Sequence, residues 1–433
     1  MGRRVERTTG GRAGPRRRGR RMVAAAAALG VLLPLAACGG GDGGVPTINL
    51  YYPPEQNLQT VIDNCNEQAQ GRYRIEYRVL PRGADDQRVQ MVRRLAAGDR
   101  GMDVLGLDVT WTQEFASADW ILPWTGDARA EVERGTLAGP LESARYEDEL
   151  FAAPKNTNVQ LLWYRTDLVE QPPETWDDMI AAAQRLKEQG QPYQVLTMGA
   201  QYEGLVAFYN TLVASAGGQI LNEDGTEAVF DEGAVRALEV LQRFATAGVT
   251  SASFTNALED DVRLAFQSGN GAFQLNWPFV YPALQEGAPE LADKVGWARY
   301  PGVDAGQPSR VTIGGVNLAV SRYSDHPDEA FEAALCIRNA ENQKFSAIND
   351  GVPPTIESIY ADPEMTEAYP MKDEILAELR DGATRPLTPA YQNVSTVLSV
   401  TLSPPSAIRP QETADQLRRS VQDALESKGV LPG

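Results

Sequence analysis

The chain has 433 residues, of which 42% are hydrophobic, and it carries 58 acidic against 40 basic side chains. This length and composition suffice for two cores, and a net charge of −18 disfavours binding to nucleic acid or anionic lipid. One histidine, His326, and three cysteines supply too few ligands and bases for a zinc centre or a histidine-based triad, so we expect no metal and no cofactor.

The N-terminal residues have the zones of an export signal. Residues 3–21 contain nine arginines and one acid, Glu6, and an apolar run follows at 22–35. The run is shorter than the roughly 20 apolar residues of a transmembrane helix, which favours a signal peptide. It ends in LAAC at 35–38, which resembles the lipobox of bacterial lipoproteins. We therefore expect cleavage after residue 37 and a lipid on the Cys38 thiol.

The residues after Cys38, GGGDGG at 39–44, are typical of a flexible tether. A signal peptide at 1–37 and a tether at 38–45 would place the rest of the chain in the cell envelope, lipid-anchored to the outer face of the cytoplasmic membrane. Loss of nine arginines and one glutamate changes the net charge from −18 to about −26. The alternative is an ordinary secreted protein in which Cys38 is incidental. The twin-arginine and the general export routes both remain open.

The body of the chain begins with alternating strand and helix patterns. Strand-like runs at 47–52, 73–80 and 102–107 are separated by helical patterns at 58–70 and 86–97. This rhythm predicts a parallel sheet with helices on its faces. Because ligands of such sheets gather at the carboxyl ends of strands, Asp108 stands at a candidate ligand position.

A second block of secondary structure begins near Pro154. An apolar strand is predicted at 159–164 and a helix at 175–190, followed by alternating helical and extended pieces as far as Tyr281. Strands are expected between 294 and 321, a helix from His326 to about Arg338, and further helices at 363–379 and 410–427.

Several stretches, in this order, carry a family resemblance: DVLGLDVTWTQEFA at 103–116 with ADWILP at 118–123, PKNTNVQLLWYRTDL at 154–168, LAFQSGNGAFQLNWP at 264–278, GGVNLAVS at 314–321 and RPLTPAY at 385–391. Together they resemble the extracellular solute-binding proteins of carbohydrate ABC importers, the group that includes maltose- and trehalose-binding proteins. Within that group, the predicted lipid anchor and the asparagine at 158 make the chain resemble the trehalose-recycling lipoproteins of actinobacteria.

The resemblance implies a two-lobed, periplasmic-binding-protein-like α/β fold with crossing hinge segments and an interlobe cleft. Residues 46–153 and 296–340 would form lobe one, and residues 154–295 and 341–433 lobe two. In an oxidising compartment Cys65 and Cys336 are either a disulfide or two buried thiols. The resemblance places both on helices of lobe one, which favours the disulfide.

The resemblance also implies a function. A monomer without catalytic residues would bind a disaccharide, trehalose above other sugars such as maltose, and pass it to membrane permease subunits. No phosphate-binding loop is present in the sequence, so a separate ATPase would supply the energy. A glycoside hydrolase with paired carboxylates and a scaffolding lipoprotein are the alternatives.

The candidate ligand residues of lobe one and the crossing are acids and amides. Asp108 and Glu55 would accept hydrogen bonds from sugar hydroxyls, and solvated surface acids are the alternative. Asn156 and Asn158 stand at the entry to lobe two, where the family commonly has aspartate at the second position. Asparagines that bond their own backbone in a turn are the alternative for both.

Four further residues complete the predicted site. Trp277 would stack on a sugar ring, Glu259 would accept from hydroxyls, Gly315 would let the backbone approach the ligand, and Arg385 would donate to hydroxyls while holding a carboxylate. A solvated surface position is the alternative for Glu259 and Arg385. The other tryptophans are expected in the core: Trp111, Trp120, Trp124, Trp163, Trp176 and Trp297.

Overall fold

The computed structural model describes residues 44–428. The predicted signal peptide at 1–37, Cys38 and all but the last two residues of the predicted tether lie outside the described residues. In the part of the chain that is described, no helix is both long and apolar enough to span a membrane.

The described residues form two main sheets, a small hairpin and many helices. The strands are β1 (Thr47–Tyr52), β2 (Arg74–Val79), β3 (Val104–Asp108), β4 (Arg145–Tyr146), β5 (Glu149–Leu150), β6 (Ala153–Asn158), β7 (Leu161–Arg165), β8 (Gln194–Leu196), β9 (Gly271–Asn276), β10 (Val295–Ala298) and β11 (Gly314–Val320). The α-helices are α1 (Leu58–Ala69), α2 (Ala84–Ala96), α3 (Thr112–Ser117), α4 (Gly126–Glu133), α5 (Ala138–Ser143), α6 (Trp176–Glu188), α7 (Glu203–Ser215), α8 (Glu232–Thr246), α9 (Glu259–Gln267), α10 (Val280–Gly287), α11 (Pro289–Ala292), α12 (Pro327–Ile337), α13 (Ala340–Asp350), α14 (Pro363–Ala368), α15 (Lys372–Asp381), α16 (Tyr391–Leu402) and α17 (Pro410–Leu425). Short 3-10 helices span Phe254–Asn256, Glu357–Ala361 and Pro405–Ala407.

The first sheet has the strand order β2-β1-β3-β11-β6. Its first three strands are parallel, as the strand–helix rhythm predicts, and β11 is antiparallel to both β3 and β6. Strand β3 has no polar side chain before Asp108 and its first four residues are buried, as is usual for a central strand covered on both faces.

The second sheet has the order β10-β7-β9-β8. Strand β7 is antiparallel to β9 and to β10, and β8 is parallel to β9. Only Val159 and Gln160 separate the end of β6 in the first sheet from the start of β7 in the second.

Two hydrophobic cores surround the two sheets. One contains buried residues from 48–153 and 318–337, and the other contains residues from 159–313 and 347–424 together with Leu137. We call the parts built on these cores the first and the second lobe. The predicted boundary at 296 needs a correction, because β10 is hydrogen-bonded to β7 and Tyr300, Val311 and Ile313 lie in the second core. The remaining lobe boundaries stay a prediction.

Helix α6 illustrates how the sequence determines an element. Thr175 caps it by accepting a hydrogen bond from the Asp178 backbone N–H over 3.1 Å, and two acids in the first turn complement the helix dipole. Its buried residues, among them Trp176, Met179 and Ala183, recur at helical spacing and face the second core. The helix therefore lies within the predicted range of 175–190.

The predicted disulfide is present between Cys65 of α1 and Cys336 of α12. The sulfur bridge joins residues 271 positions apart and holds α12, which follows β11, against α1 near the start of the described chain. The two sheets, each with its own hydrophobic core, confirm the predicted two-lobed α/β fold.

Candidate functional site

The first sheet presents several strand ends along one edge. Strands β1 and β3 end there at Tyr52 and Asp108, and because β11 is antiparallel to β3 it begins at the same edge. Gly314 of β11 is paired with Asn158, the last residue of β6. The carboxylate of Asp108 and the amide of Asn158 therefore belong to one edge of the sheet.

The second sheet has a matching edge. Strand β9 ends at Asn276, which is paired with Leu161 at the start of β7, and parallel β8 ends beside it at Leu196. Because two residues connect β6 to β7, the two edges are held next to each other. Trp277, which follows β9, and Glu259 and Glu203, which begin α9 and α7, lie at this second edge.

Asp108 is held in place through one of its two oxygens. Oδ1 accepts hydrogen bonds from the backbone N–H of Thr110 at 3.0 Å, from the Thr110 hydroxyl at 2.8 Å and from Nη2 of Arg385 at 3.0 Å. The side chain is 29% exposed, and Oδ2 accepts no hydrogen bond from the described residues. The carboxylate is thus fixed in orientation and keeps one oxygen available to a ligand.

Arg385 joins the two edges. Its side chain is 6% exposed and lies between two acids, since Nη2 donates to Asp108 and Nη1 donates to Glu203 Oε1 over 2.7 Å. Burial alone lowers the pKa of Arg385, but the carboxylates of Asp108 and Glu203 outweigh burial and raise it. The guanidinium therefore stays charged, as the predicted role of holding a carboxylate requires, and it holds two.

Glu203 is a functional candidate that the sequence reasoning missed. Its Oε1 also accepts from the Tyr391 hydroxyl at 2.5 Å, and its Oε2 accepts from the Ser395 hydroxyl. The one signal in the sequence was a single acid directly before a long apolar run. In the structure that run is helix α7, in which every residue from Gly204 to Val213 is buried. An acid at that place needs a partner, and Arg385 is that partner.

Trp277 and Asn158 come close to each other over Gly314. A methyl group placed on Gly314 would lie 3.4 Å from Cη2 of Trp277 and 3.4 Å from Cβ of Asn158. The Trp277 backbone N–H donates to Asn276 Oδ1 over 2.9 Å, while Asn276 Nδ2 donates to the Glu259 carbonyl over 3.1 Å. The structure thus brings Asn158, Trp277 and Glu259 together.

Glu259 lies close to the Trp277 indole and to the Tyr202 hydroxyl. Burial raises the pKa of the Glu259 carboxyl, and these two donors only partly oppose the increase. The Tyr202 hydroxyl is itself buried and makes no well-aligned hydrogen bond with the described residues. The Glu259 side chain is half-buried at the start of α9, and its contact with a ligand stays a prediction.

Further buried polar groups near the two edges have no hydrogen-bond partner among the described residues. Among them are Oδ1 of Asn158, the whole amide of Gln160 between β6 and β7, and the hydroxyl of Thr197 directly after β8. Unsatisfied buried polar groups are rare in native proteins and indicate water or a ligand. The sequence reasoning did not select Gln160 or Thr197, because a polar residue beside an apolar strand gives no specific signal.

Glu55 is placed differently from the expectation of a carboxylate open to ligand. Its two oxygens lie 2.5 and 2.7 Å from Nζ of Lys155, and Oε1 also accepts from the Ser346 hydroxyl at 3.0 Å. The Lys155 side chain is fully buried and that of Glu55 is 7% exposed. These three hydrogen bonds use three of about four acceptor positions of the carboxylate. A ligand contact from Glu55 stays a prediction, with one position left for it.

Asn156 and Gly315 have evident roles in strand pairing. Asn156 donates to the Tyr52 hydroxyl over 2.9 Å and accepts from the Val316 N–H at 3.0 Å. Gly315 has φ +134°, and a Cβ on it would lie 2.4 Å from the Asn156 carbonyl oxygen, so the close approach that requires glycine is to β6. Neither contact fills the predicted ligand role, which stays a prediction for both.

The arrangement combines acceptors, donors and an aromatic face. No cluster of three or more histidine, cysteine or acidic side chains suited to a metal ion occurs within residues 44–428. Carboxylates with free lone pairs suit hydroxyl groups, and an indole ring suits the C–H face of a pyranose. The site therefore has the chemistry to bind a neutral polyhydroxylated molecule.

Comparison with known proteins shows the family of this chain. The family model for bacterial extracellular solute-binding proteins matches residues 58–344. A probable ABC transporter-binding protein of Deinococcus radiodurans is 29% identical over 342 residues, which cover 74% of this chain and 79% of that protein.

Solved structures share the fold. The maltose-bound MalE3 of T. maritima is 27% identical with a TM-score of 0.77, and the match covers 87% of this chain and 99% of that one. The GacH receptor of Streptomyces glaucescens, solved unliganded and with acarbose, is 20% identical with a TM-score of 0.75 over 89% of this chain and 99% of that one. At that identity the second match shows the fold alone. On the family match, this chain belongs to the bacterial extracellular solute-binding proteins.

Proposed function

We propose that this protein binds a disaccharide, trehalose, between its two lobes and delivers it to the permease of an ABC importer. The observation that carries the proposal is the chain of charges from Asp108 through Arg385 to Glu203, which joins the two sheet edges. It supplies fixed acceptors and a fixed donor where a ligand between the lobes would contact both.

The symmetry of trehalose supports this choice of sugar. Its two glucose rings present the same hydroxyls in opposite directions, so each lobe should contribute its own acceptor. Asp108, with the remaining position on Glu55, would serve the first lobe. Glu259 with Trp277 would serve the second, and Asn158 would bond hydroxyls with its unpartnered Oδ1.

Delivery to a permease follows from the proposed location. A lipid on Cys38 and a short glycine-rich tether would hold the protein at the outer face of the membrane, where the effective concentration near a permease is high. The permease subunits would couple to a separate ATPase, since the sequence has no phosphate-binding loop of its own.

Maltose is a second candidate ligand, because a solved structure similar to this chain contains it. MalE3 of T. maritima, 27% identical to this chain, was solved with maltose bound. Maltose also has two glucose rings, but they are joined asymmetrically. If it is the ligand, the acceptors of the two lobes contact unlike hydroxyls.

Isothermal titration of sugar-free protein with trehalose, maltose, lactose and glucose tests the proposal. We expect trehalose to bind with the lowest Kd and glucose, which fills half of the site, to bind at least ten-fold more weakly. Tighter binding of maltose would replace trehalose as the ligand, and absence of heat with every sugar would overturn the carbohydrate assignment.

A further inference from the structure

Helix α13 contacts both lobes, and its last residue is bonded to the first lobe. Phe345 packs against the first core, whereas Ala347 lies in the second core. Asp350, with which the helix ends, accepts a hydrogen bond at Oδ1 from Nδ2 of Asn57 over 2.6 Å. Asn57 lies directly before α1, in the turn that follows β1. This bond therefore ties the end of α13 to the first lobe beside the edge at which β1 ends.

The helix itself gives no reason for an aspartate at position 350. A carboxylate in the last turn is repelled by the partial negative charge of a helix C-terminus. In addition, Oδ2 of Asp350 is buried without a hydrogen-bond partner among the described residues, which costs free energy. The bond to Asn57 offsets part of both costs, so the aspartate serves a contact between distant segments rather than the stability of α13.

The residue after Asp350 contacts the turn that carries Trp277. Gly351 ends α13 in the left-handed conformation, with φ +67°. A Cβ on Gly351 would lie 3.1 Å from Cα of Phe279 and 3.2 Å from the carbonyl oxygen of Pro278, the two residues that follow Trp277. Because these are backbone atoms, a displaced Gly351 would displace the turn as well.

The same segment also contacts the strand that carries Asn158. The carbonyl of Pro353 accepts a hydrogen bond from the backbone N–H of Thr157 at 2.9 Å, and Thr157 directly precedes Asn158. The four residues 350–353 therefore reach from the turn after Trp277 to the end of β6. Asn158 and Trp277 are the candidate site residues that lie next to each other, so this segment helps to determine their separation.

We propose that Asp350 is a positioning residue for the proposed sugar site, because its bond to Asn57 determines where the Trp277 ring stands relative to the first lobe. The inference rests on the proposed function, which gives that ring a sugar to contact. Asp350 itself does not touch the ligand. Without its bond the end of α13 is released from the first lobe, the turn after Trp277 is less well fixed, and ordering the ring on the sugar costs part of the binding free energy.

Titration with trehalose and with maltose tests this role, and variants are compared on the sugar that the wild type binds more tightly. Asp350→Ala should weaken binding at least five-fold, and Asp350→Asn, which keeps an acceptor for Asn57, should recover most of that loss. Asn57→Ala removes the same bond from the first lobe and should weaken binding to a similar extent.

A double-mutant cycle separates positioning from a general effect on the fold. In the Trp277→Ala background, Asp350→Ala should change the Kd less than two-fold, since the ring that it positions is absent. A residue that only stabilised the fold would weaken binding equally in both backgrounds.

Asp63→Ala is the matched control. Asp63 accepts a hydrogen bond from the Gln59 side-chain amide over 2.8 Å, a bond of the same kind at an exposed place on α1, so its replacement should leave the Kd within two-fold of the wild type. If Asp350→Ala binds like Asp63→Ala, or loses as much affinity without the Trp277 ring as with it, the positioning role is overturned and the proposed function stands. Absence of binding to every sugar by the wild type would instead overturn the proposed function, and the positioning role with it.

Discussion

Nη2 of Arg385 lies 3.0 Å from Oδ1 of Asp108, and this contact joins the end of a first-lobe strand to the segment after α15 of the second lobe. The same guanidinium bonds Glu203, so one buried cation orients an acid on each side. Asp108 and Arg385 thus form a fixed ion pair in the proposed site, and replacing Asp108 should change the affinity for the ligand.

Asp108→Ala should weaken sugar binding by about 1 kcal/mol or more, because it removes a charged acceptor for ligand hydroxyls and an anchor of Arg385. Titration calorimetry measures the change. Asp127→Ala, at an exposed position of α4, is the control and should bind like the wild type. Equal affinity in the two variants would show that the ligand lies elsewhere.

Trp277→Ala should also weaken binding by about 1 kcal/mol or more, since the ring face that would stack on the sugar is lost. Trp277→Phe keeps a smaller aromatic face and should fall between the alanine variant and the wild type. The order of the three Kd values is the measurement. An alanine variant that binds as tightly as the wild type would exclude stacking.

Lys155→Met should lower the free energy of unfolding by about 3–5 kcal/mol, because it leaves the buried Glu55 carboxylate without its cation. The double variant with Glu55→Gln should recover most of that loss, since both charges are then absent. Urea unfolding at neutral pH measures both changes.

The exposed pair Arg409–Glu412 provides the control, with side chains 77% and 73% exposed. Arg409→Met should cost no more than about 1 kcal/mol. A loss for Lys155→Met no larger than that would mean that the Glu55 ion pair is as well hydrated as a surface pair.

Glu259→Gln should stabilise the protein at neutral pH and leave its stability unchanged near pH 4. Burial raises the pKa of this carboxyl above its ordinary value of 4.5, so ionisation costs more in the folded than in the unfolded state. The wild type therefore loses stability as the pH rises from 4.5 through the raised pKa, and the amide does not. Melting temperatures between pH 4 and 8 measure the difference.

Glu170→Gln, at an exposed loop position, is the matched control for charge removal and should follow the wild-type profile. Parallel pH profiles of the wild type and Glu259→Gln would contradict the raised pKa of Glu259.

Replacing Cys65 and Cys336 by alanine should lower the free energy of unfolding by about 2–4 kcal/mol, since the unfolded chain loses a long cross-linked loop. Both residues lie on helices away from the strand ends, so sugar affinity should stay within two-fold of the wild type. Affinity that falls in step with stability would mean that the bridge also shapes the site.

Regular elements with one dominant signal were predictable from the sequence. The range of β1 and the start of α1 were predicted correctly, because a β-rich run stops at two prolines and a helical pattern follows. Strand β6 was missed, since PKNTN reads as a polar turn. It is a strand because its backbone pairs with β11, which is distant in sequence, and the side chains of Lys155 and Asn156 also find distant partners in Glu55 and Val316.

The residues of the candidate site also differ in whether the sequence could identify them. Asp108 could be selected because it follows a strand, and Trp277 because it lies in a family motif. Glu203 could not be selected, since its meaning depends on Arg385, 182 residues later in the chain. The Lys155 partner of Glu55 was equally invisible, because a local pattern carries no information about a contact 100 residues away.

The two-residue passage from β6 to β7 limits how the lobes can move. Val159 and Gln160 are 0% and 2% exposed, and two extended residues reach only about 7 Å. The spacing between the two sheet edges is therefore nearly constant at this passage, whereas the angle between the sheets can change. Entry and release of a ligand would then proceed by rotation about this short passage, and such a rotation would break the hydrogen bond between Gln392 of the second lobe and Asp85 of the first.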